Sequence, residues 1–148
     1  MRFAYDVLKN KIPDLNEREL TECDLSQIAR RERLIVADAV LPRPFISAYV
    51  YFNRRHYILL DRNMRGVRRL FFAWYELSHY FLHAPRNFTH YWRWLGASKE
   101  KFEAESLPLM AMLPQSNLPA IMHEYDAACQ FSRRIIEKRF YLLENWKL

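Results

Sequence analysis

The stretch Phe72-Ala73-Trp74-Tyr75-Glu76-Leu77-Ser78-His79-Tyr80-Phe81-Leu82-His83 concentrates the side chains able to do acid–base or metal chemistry. On a helix of about 100° per residue, positions 75 and 79 lie about 40° apart, and positions 76 and 83 nearly superpose. Tyr75, Glu76, His79 and His83 therefore share an arc beside the apolar face. The order Glu-x-x-His is part of the H-E-x-x-H spacing, in which two imidazoles on one helix face hold zinc and the glutamate is general base toward the metal's water. Here a tyrosine stands at the first position. Glu-x-x-His also arises by chance in ordinary helices, and His83 reads most simply as a helix-end histidine near the carbonyls of its last turn.

The elements that must position these residues follow from periodicity. Asn16 to Leu34 reads as an amphipathic helix with Asn16 as its cap. The apolar run Leu34-Ile35-Val36-Ala37 follows, and Pro42 and Pro44 break the chain after it. Phe45–Phe52 and His56–Leu60 are β-prone runs around Asn53-Arg54-Arg55, the signature of a hairpin. From Met64 to His83 the helical period returns, with Val67, Leu70, Phe71, Trp74, Leu77, Ser78 and Phe81 on one arc. Pro85 ends this helix, and a loop carrying Phe88, Tyr91, Trp92 and Trp94 follows, in which Tyr91, Trp92 and Trp94 are expected to cover the cleft or, as the alternative, to form a partner patch. A helix capped by Ser98 runs to Pro114, a further helical stretch spans Leu118 to Phe131, and Ser132 caps a last helix through Trp146. Helix, small sheet, then several helices make an α+β domain, and 148 residues suit one domain, 1–148.

Composition narrows the class. Hydrophobic residues are 51% and charged residues 27%, a globular balance. No apolar run reaches the ~18 residues of a membrane span. The start, Met1-Arg2-Phe3-Ala4-Tyr5-Asp6, lacks the pattern of a signal peptide, and Cys23 and Cys129 form no CxxC pair, so a cytoplasmic protein without a disulfide framework is expected. The net charge of +6 draws on small arginine clusters, among them Arg30-Arg31 with Arg33, and Arg54-Arg55. Such charge favours polyanions in general, but no helix-turn-helix, zinc-finger or stacking-sheet signature accompanies it, so no direct nucleic-acid binding is expected. His56, His90 and His123 have no ligand spacing with the motif and read as structural or exposed.

Taken together, the hairpin with Tyr57-Ile58-Leu59-Leu60-Asp61, the arginines Arg65, Arg68 and Arg69, and Phe71–His83 resemble the ImmA/IrrE family of metallopeptidase-like proteins. In that family a helix reading roughly r-r-F-t-l-A-H-E-l-G-H-y-l-l-H follows a small sheet, and a second motif reads E-A-n-x-F-A-x-x-L-l-m-P. The segment Glu103-Ala104-Glu105-Ser106-Leu107-Pro108-Leu109-Met110-Ala111-Met112-Leu113-Pro114 keeps the Glu, the Ala and the final Pro in register. The likeness covers about residues 17–146. It implies a zincin-like domain with an N-terminal helix, a small sheet with a hairpin, the motif helix and further C-terminal helices.

Carried over by position, the resemblance places the general base on Glu76, the second histidine ligand on His79 and the downstream carboxylate ligand on Glu103. The first ligand position falls on Tyr75, a phenol that must lose a proton before it ligates well. A shift of one turn would use His79 and His83 with Glu103 or Glu76. Further departures are Ser78 for the family's Gly, Glu105 for a small polar residue, and Pro108, which should kink or restart its helix. The resemblance thus implies a degenerate zinc site, inactive or weakly active, with an active endopeptidase using Tyr75, His79 and Glu103 as zinc ligands and Glu76 as base as the alternative. It also implies a bacterial or phage cytoplasmic protein acting on a helix-turn-helix type repressor or other regulatory protein. No DNA-binding domain is expected ahead of the helix at Asn16.

Overall fold

The computed structural model describes residues 2–84, 99–118 and 132–146. Helix α1 (Arg2–Lys11) and helix α2 (Glu22–Arg31) precede strand β1 (Leu34–Ala39). Strands β2 (Ser47–Phe52) and β3 (Arg55–Asp61) lead into helix α3 (Gly66–His83). Helix α4 (Lys99–Met112), a 3-10 turn (Gln115–Asn117) and helix α5 (Arg133–Trp146) complete the described elements. The mixed α+β class is as expected. Among the described residues no helix is long and apolar enough to cross a membrane.

The N-terminal region departs from the sequence reading. The helix expected over Asn16–Leu34 forms only from Glu22 to Arg31, and Asn16 is no cap. It sits in a left-handed turn (φ 68°), buried, where asparagine is tolerated better than most residues. Leu15 and Leu20 are buried from within this non-helical segment, and the Leu20 amide donates to the Ala111 carbonyl at 2.7 Å. That tertiary bond takes the backbone away from the helical pattern. Helix α2 starts where the Thr21 amide and hydroxyl both donate to the Asp24 carboxylate, at 2.7 and 2.9 Å. An additional helix, α1, buries Ala4 and Leu8 one turn apart, with Ile12 following.

The sheet has the order β1-β3-β2. β1 runs parallel to β3, pairing Leu34 with His56 through Ala39 with Asp61. β2 runs antiparallel to β3, pairing Ser47 with Leu60 through Phe52 with Arg55. The hairpin turn is the two-residue Asn53-Arg54, both at positive φ (48° and 61°), whose twist matches that of the flanking strands.

Helix α3 lies over the sheet, against β2 and β3, and makes its most extensive contacts with α4. Ile58, Leu60, Trp74, Leu77, Leu107 and Met110 are completely buried between these layers. Helix α3 ends at His83, and Ala84 is extended (φ −95°, ψ 148°), the conformation that a following proline enforces. Helix α4 does not restart at Pro108; it runs through the proline to Met112. Burial of every residue from Ser106 to Met112 overrides the local cost of the missing amide. Ser132 precedes α5, its carbonyl accepting from the Ile135 amide at 2.9 Å.

The aromatic loop, Pro85, the Ser98 cap, His90, His123, residues 119–131 of the expected Leu118–Phe131 helix and the side chain of Trp146 lie outside the described residues.

Candidate functional site

Helix α3 carries chemistry on two sides, because consecutive residues on a helix diverge by about 100°. Toward the sheet it presents Glu76, 5% exposed. The Ser47 hydroxyl, from the start of β2, donates to Glu76 Oε1 at 2.6 Å. The Tyr49 backbone amide is a second donor to this carboxyl. Burial pushes the Glu76 pKa up to about 7, and the two hydrogen bonds offset part of that rise. The carboxyl is thereby poised to exchange a proton near neutral pH.

Toward α4 the helix presents Tyr75, His79 and His83, one turn apart. The Tyr75 and His79 rings meet edge to face with centroids 4.8 Å apart. His79 Nδ1 and His83 Nδ1 are 3.0 Å apart. His83 Nε2 lies 3.5 Å from Glu103 Oε2, and Lys99 Nζ lies 3.6 Å from the other carboxylate oxygen. The tautomers follow from the end of this chain of contacts. Glu103 as a carboxylate only accepts, so His83 donates from Nε2 and accepts at Nδ1. His79 must then donate from Nδ1, which leaves its lone pair on Nε2.

Ser78 and Glu105 both have structural partners. Ser78 is completely buried, and its hydroxyl is 3.5 Å from the Glu103 carbonyl, to which the Ser106 hydroxyl also donates at 2.5 Å. Ser78 ties α3 to α4 at the level of Glu103, whereas the Ser106 bond stays within α4. Glu105 pairs with Lys138 of α5 at 2.5 Å. Tyr75 is held as a neutral phenol: burial raises its pKa, and the nearby Glu76 and Glu105 carboxylates raise it further.

A zinc ion held by Tyr75, His79 and Glu103 would require His79 and Glu103 to turn from His83, which both now contact. Such a site needs three protein atoms converging at about 2.0–2.2 Å. Among the described residues no group of three or more His, Cys, Asp or Glu is placed to hold a metal ion. His83 stands between His79 and Glu103 and turns its two ring nitrogens toward different neighbours.

Sequence reasoning placed Tyr75, Glu76, His79, His83 and Glu103 in one neighbourhood; the structure brings Tyr75, His79, His83 and Glu103 together and turns Glu76 toward Ser47. Ser47 went unnoticed, since a serine opening a strand carries no signal without the helix packed on it. His56 belongs to a separate aromatic cluster, its Nδ1 2.7 Å from the Tyr49 hydroxyl and its ring beside Tyr51 and Tyr80. Comparisons with protein-family models, with curated proteins and with solved structures find no match.

Proposed function

We propose that this chain is an ImmA/IrrE-like, zincin-type domain whose degenerate site serves binding rather than peptide hydrolysis. Its partner would be a regulatory protein, with a helix-turn-helix repressor in a bacterial or phage cytoplasm as the class that the resemblance implies. The observation that carries this reading is the chain of contacts Glu103–His83–His79 with Tyr75 closing its far end. In that chain a proton between imidazoles links two half-buried histidines to a half-buried carboxylate that Lys99 also faces. Element order supports the same reading: a small sheet with a hairpin, the helix bearing Glu76 and His79, then a helix bringing Glu103 against it.

One observation favours the alternative, an active zinc-dependent endopeptidase. A carboxyl whose pKa is pushed up to about 7 suits a general base working at neutral pH. Zinc content after incubation and desalting separates the two. Wild-type protein is expected to retain far less than one zinc per chain. Tyr75→His is expected to raise retention at least ~10-fold, the scale on which a ligand-sphere change acts. Stoichiometric zinc in the wild type that is lost in Glu103→Ala, together with peptide cleavage, would replace the binding reading with the peptidase. Affinity capture recovering a DNA-binding regulator supports the proposed partner class; capture of unrelated proteins alone counts against it.

A further inference from the structure

The arginine clusters Arg30-Arg31 with Arg33 and Arg54-Arg55 are separate in sequence, and the fold joins them. Leu34 pairs with His56, so Arg33 and Arg55, each one residue earlier, lie side by side at one end of the sheet. Phe52 pairs with Arg55 across the hairpin, which completes a row over three strands. Arg54 stands in the adjoining turn, and Arg30 and Arg31 end the helix that feeds β1.

Three properties set this end apart. Phe52 is 68% exposed and Tyr51 42% exposed, on opposite faces of the strand that carries the tip. Arg30, Arg33, Arg54 and Arg55 are all exposed, and among the described residues none of them has an ion pair or side-chain hydrogen bond. The acid at this end, Glu32, is already engaged by Arg31 at 3.3 Å and by the Tyr80 hydroxyl at 3.3 Å. In addition, Arg33 (φ 57°) and Arg54 (φ 61°) occupy left-handed positions where glycine or asparagine is the easy choice. Both conformations are less accessible to arginine than to a permissive residue.

Contrary to the expectation from sequence motifs alone, we propose that this end of the sheet binds single-stranded nucleic acid. The guanidinium groups contact successive phosphates, for which their planar fork is suited, and the open Phe52 ring stacks on a base. A hairpin tip with an open ring accommodates an unstacked base, whereas a duplex would keep its bases covered. This surface is independent of the α3–α4 site, so variants of Tyr75 or Glu103 leave it intact.

The test is fluorescence anisotropy of a labelled single-stranded oligothymidylate titrated with the full chain at several salt concentrations. The expected result is saturable binding with a slope of about −2 in log K against log salt, from roughly three phosphates at about −0.7 each. Phe52→Ala is expected to weaken binding at least ~5-fold and Phe52→Tyr to retain it. The Arg54→Gln/Arg55→Gln pair is expected to reduce the slope to about −0.7. Arg68→Gln, at an exposed arginine of α3, is the control and binds as wild type. All these sites are exposed, so unchanged thermal melting establishes that the variants are folded. Absence of saturable binding at low salt, equal binding of a duplex of the same length, wild-type binding by Phe52→Ala, or tighter association with polyglutamate or anionic vesicles would each overturn the proposal.

Discussion

Glu76 shows how one residue's environment sets its chemistry. The carboxyl is buried against β2 with a hydroxyl and a backbone amide as its donors, and desolvation outweighs both. Its folded pKa of about 7 lies above the ordinary glutamate value of 4.5, so between these values the folded chain binds more protons than the unfolded one. Stability therefore falls as pH rises through this window, and the contribution is fully present only below it. Glu76→Gln is expected to remove that fall, worth at most about 3 kcal/mol between pH 5 and pH 8. Urea denaturation of both proteins at the two pH values measures it, and parallel losses in both would refute the assignment. At the same scale, Ser78 and Glu105 lose their character as isolated departures once their contacts to Glu103 and Lys138 are seen.

At the scale of elements, starts and stops follow local chemistry and continuity follows burial. Helix α3 opens at Gly66 in a left-handed conformation (φ 56°), and a Cβ there would meet nothing within 4 Å. The cost of Gly66→Ala is thus conformational rather than steric: a loss of about 1 kcal/mol, read as a lower urea midpoint at unchanged m-value. Gly66→Asn should recover part of it, because asparagine tolerates this region; an alanine variant as stable as wild type would mean that the helix start relaxes. Helix α4 illustrates the opposite case. Pro108 is a strong local breaker, yet the helix persists because its neighbours Leu107, Leu109 and Met110 are buried. Glu103 keeps its place opposite α3 as a consequence.

Across the whole molecule, one buried arginine joins distant parts of the chain. Arg139 of α5 is completely buried; its Nε donates to the Leu113 carbonyl at 2.8 Å and its Nη2 to the Asn16 side chain. Asn16 Oδ1 also accepts from the Gln115 amide at 3.1 Å, so the N-terminal turn, the end of α4 and α5 meet at one asparagine. Burial pushes the Arg139 pKa down to about 10, which leaves the group charged at neutral pH. Arg139→Met is expected to cost about 2 kcal/mol, since it strands buried acceptors once served by a charged donor. Chemical denaturation checks this, and an unchanged midpoint would mean that relief of the guanidinium's desolvation cancels the lost bonds.

The local patterns settled what needs only neighbours in sequence. The α+β class, a hairpin around Asn53-Arg54-Arg55, the helix ending at His83 and the helical register of Tyr75, Glu76 and His79 follow from period, turn residues and prolines, which act over a few positions; that Arg55 belongs to the strand rather than the turn does not. Glu103 came within reach through the resemblance of its motif alone. What depended on packing was not legible. The amphipathic look of residues 16–34 concealed a buried turn, because Asn16 is held by Arg139, 123 positions away. Ser47 met Glu76, and His83 came between His79 and Glu103, only once helices were laid on the sheet and on each other. The gathering of Arg33 and Arg55 rests on the parallel pairing of β1 with β3, a register that no run of adjacent residues encodes.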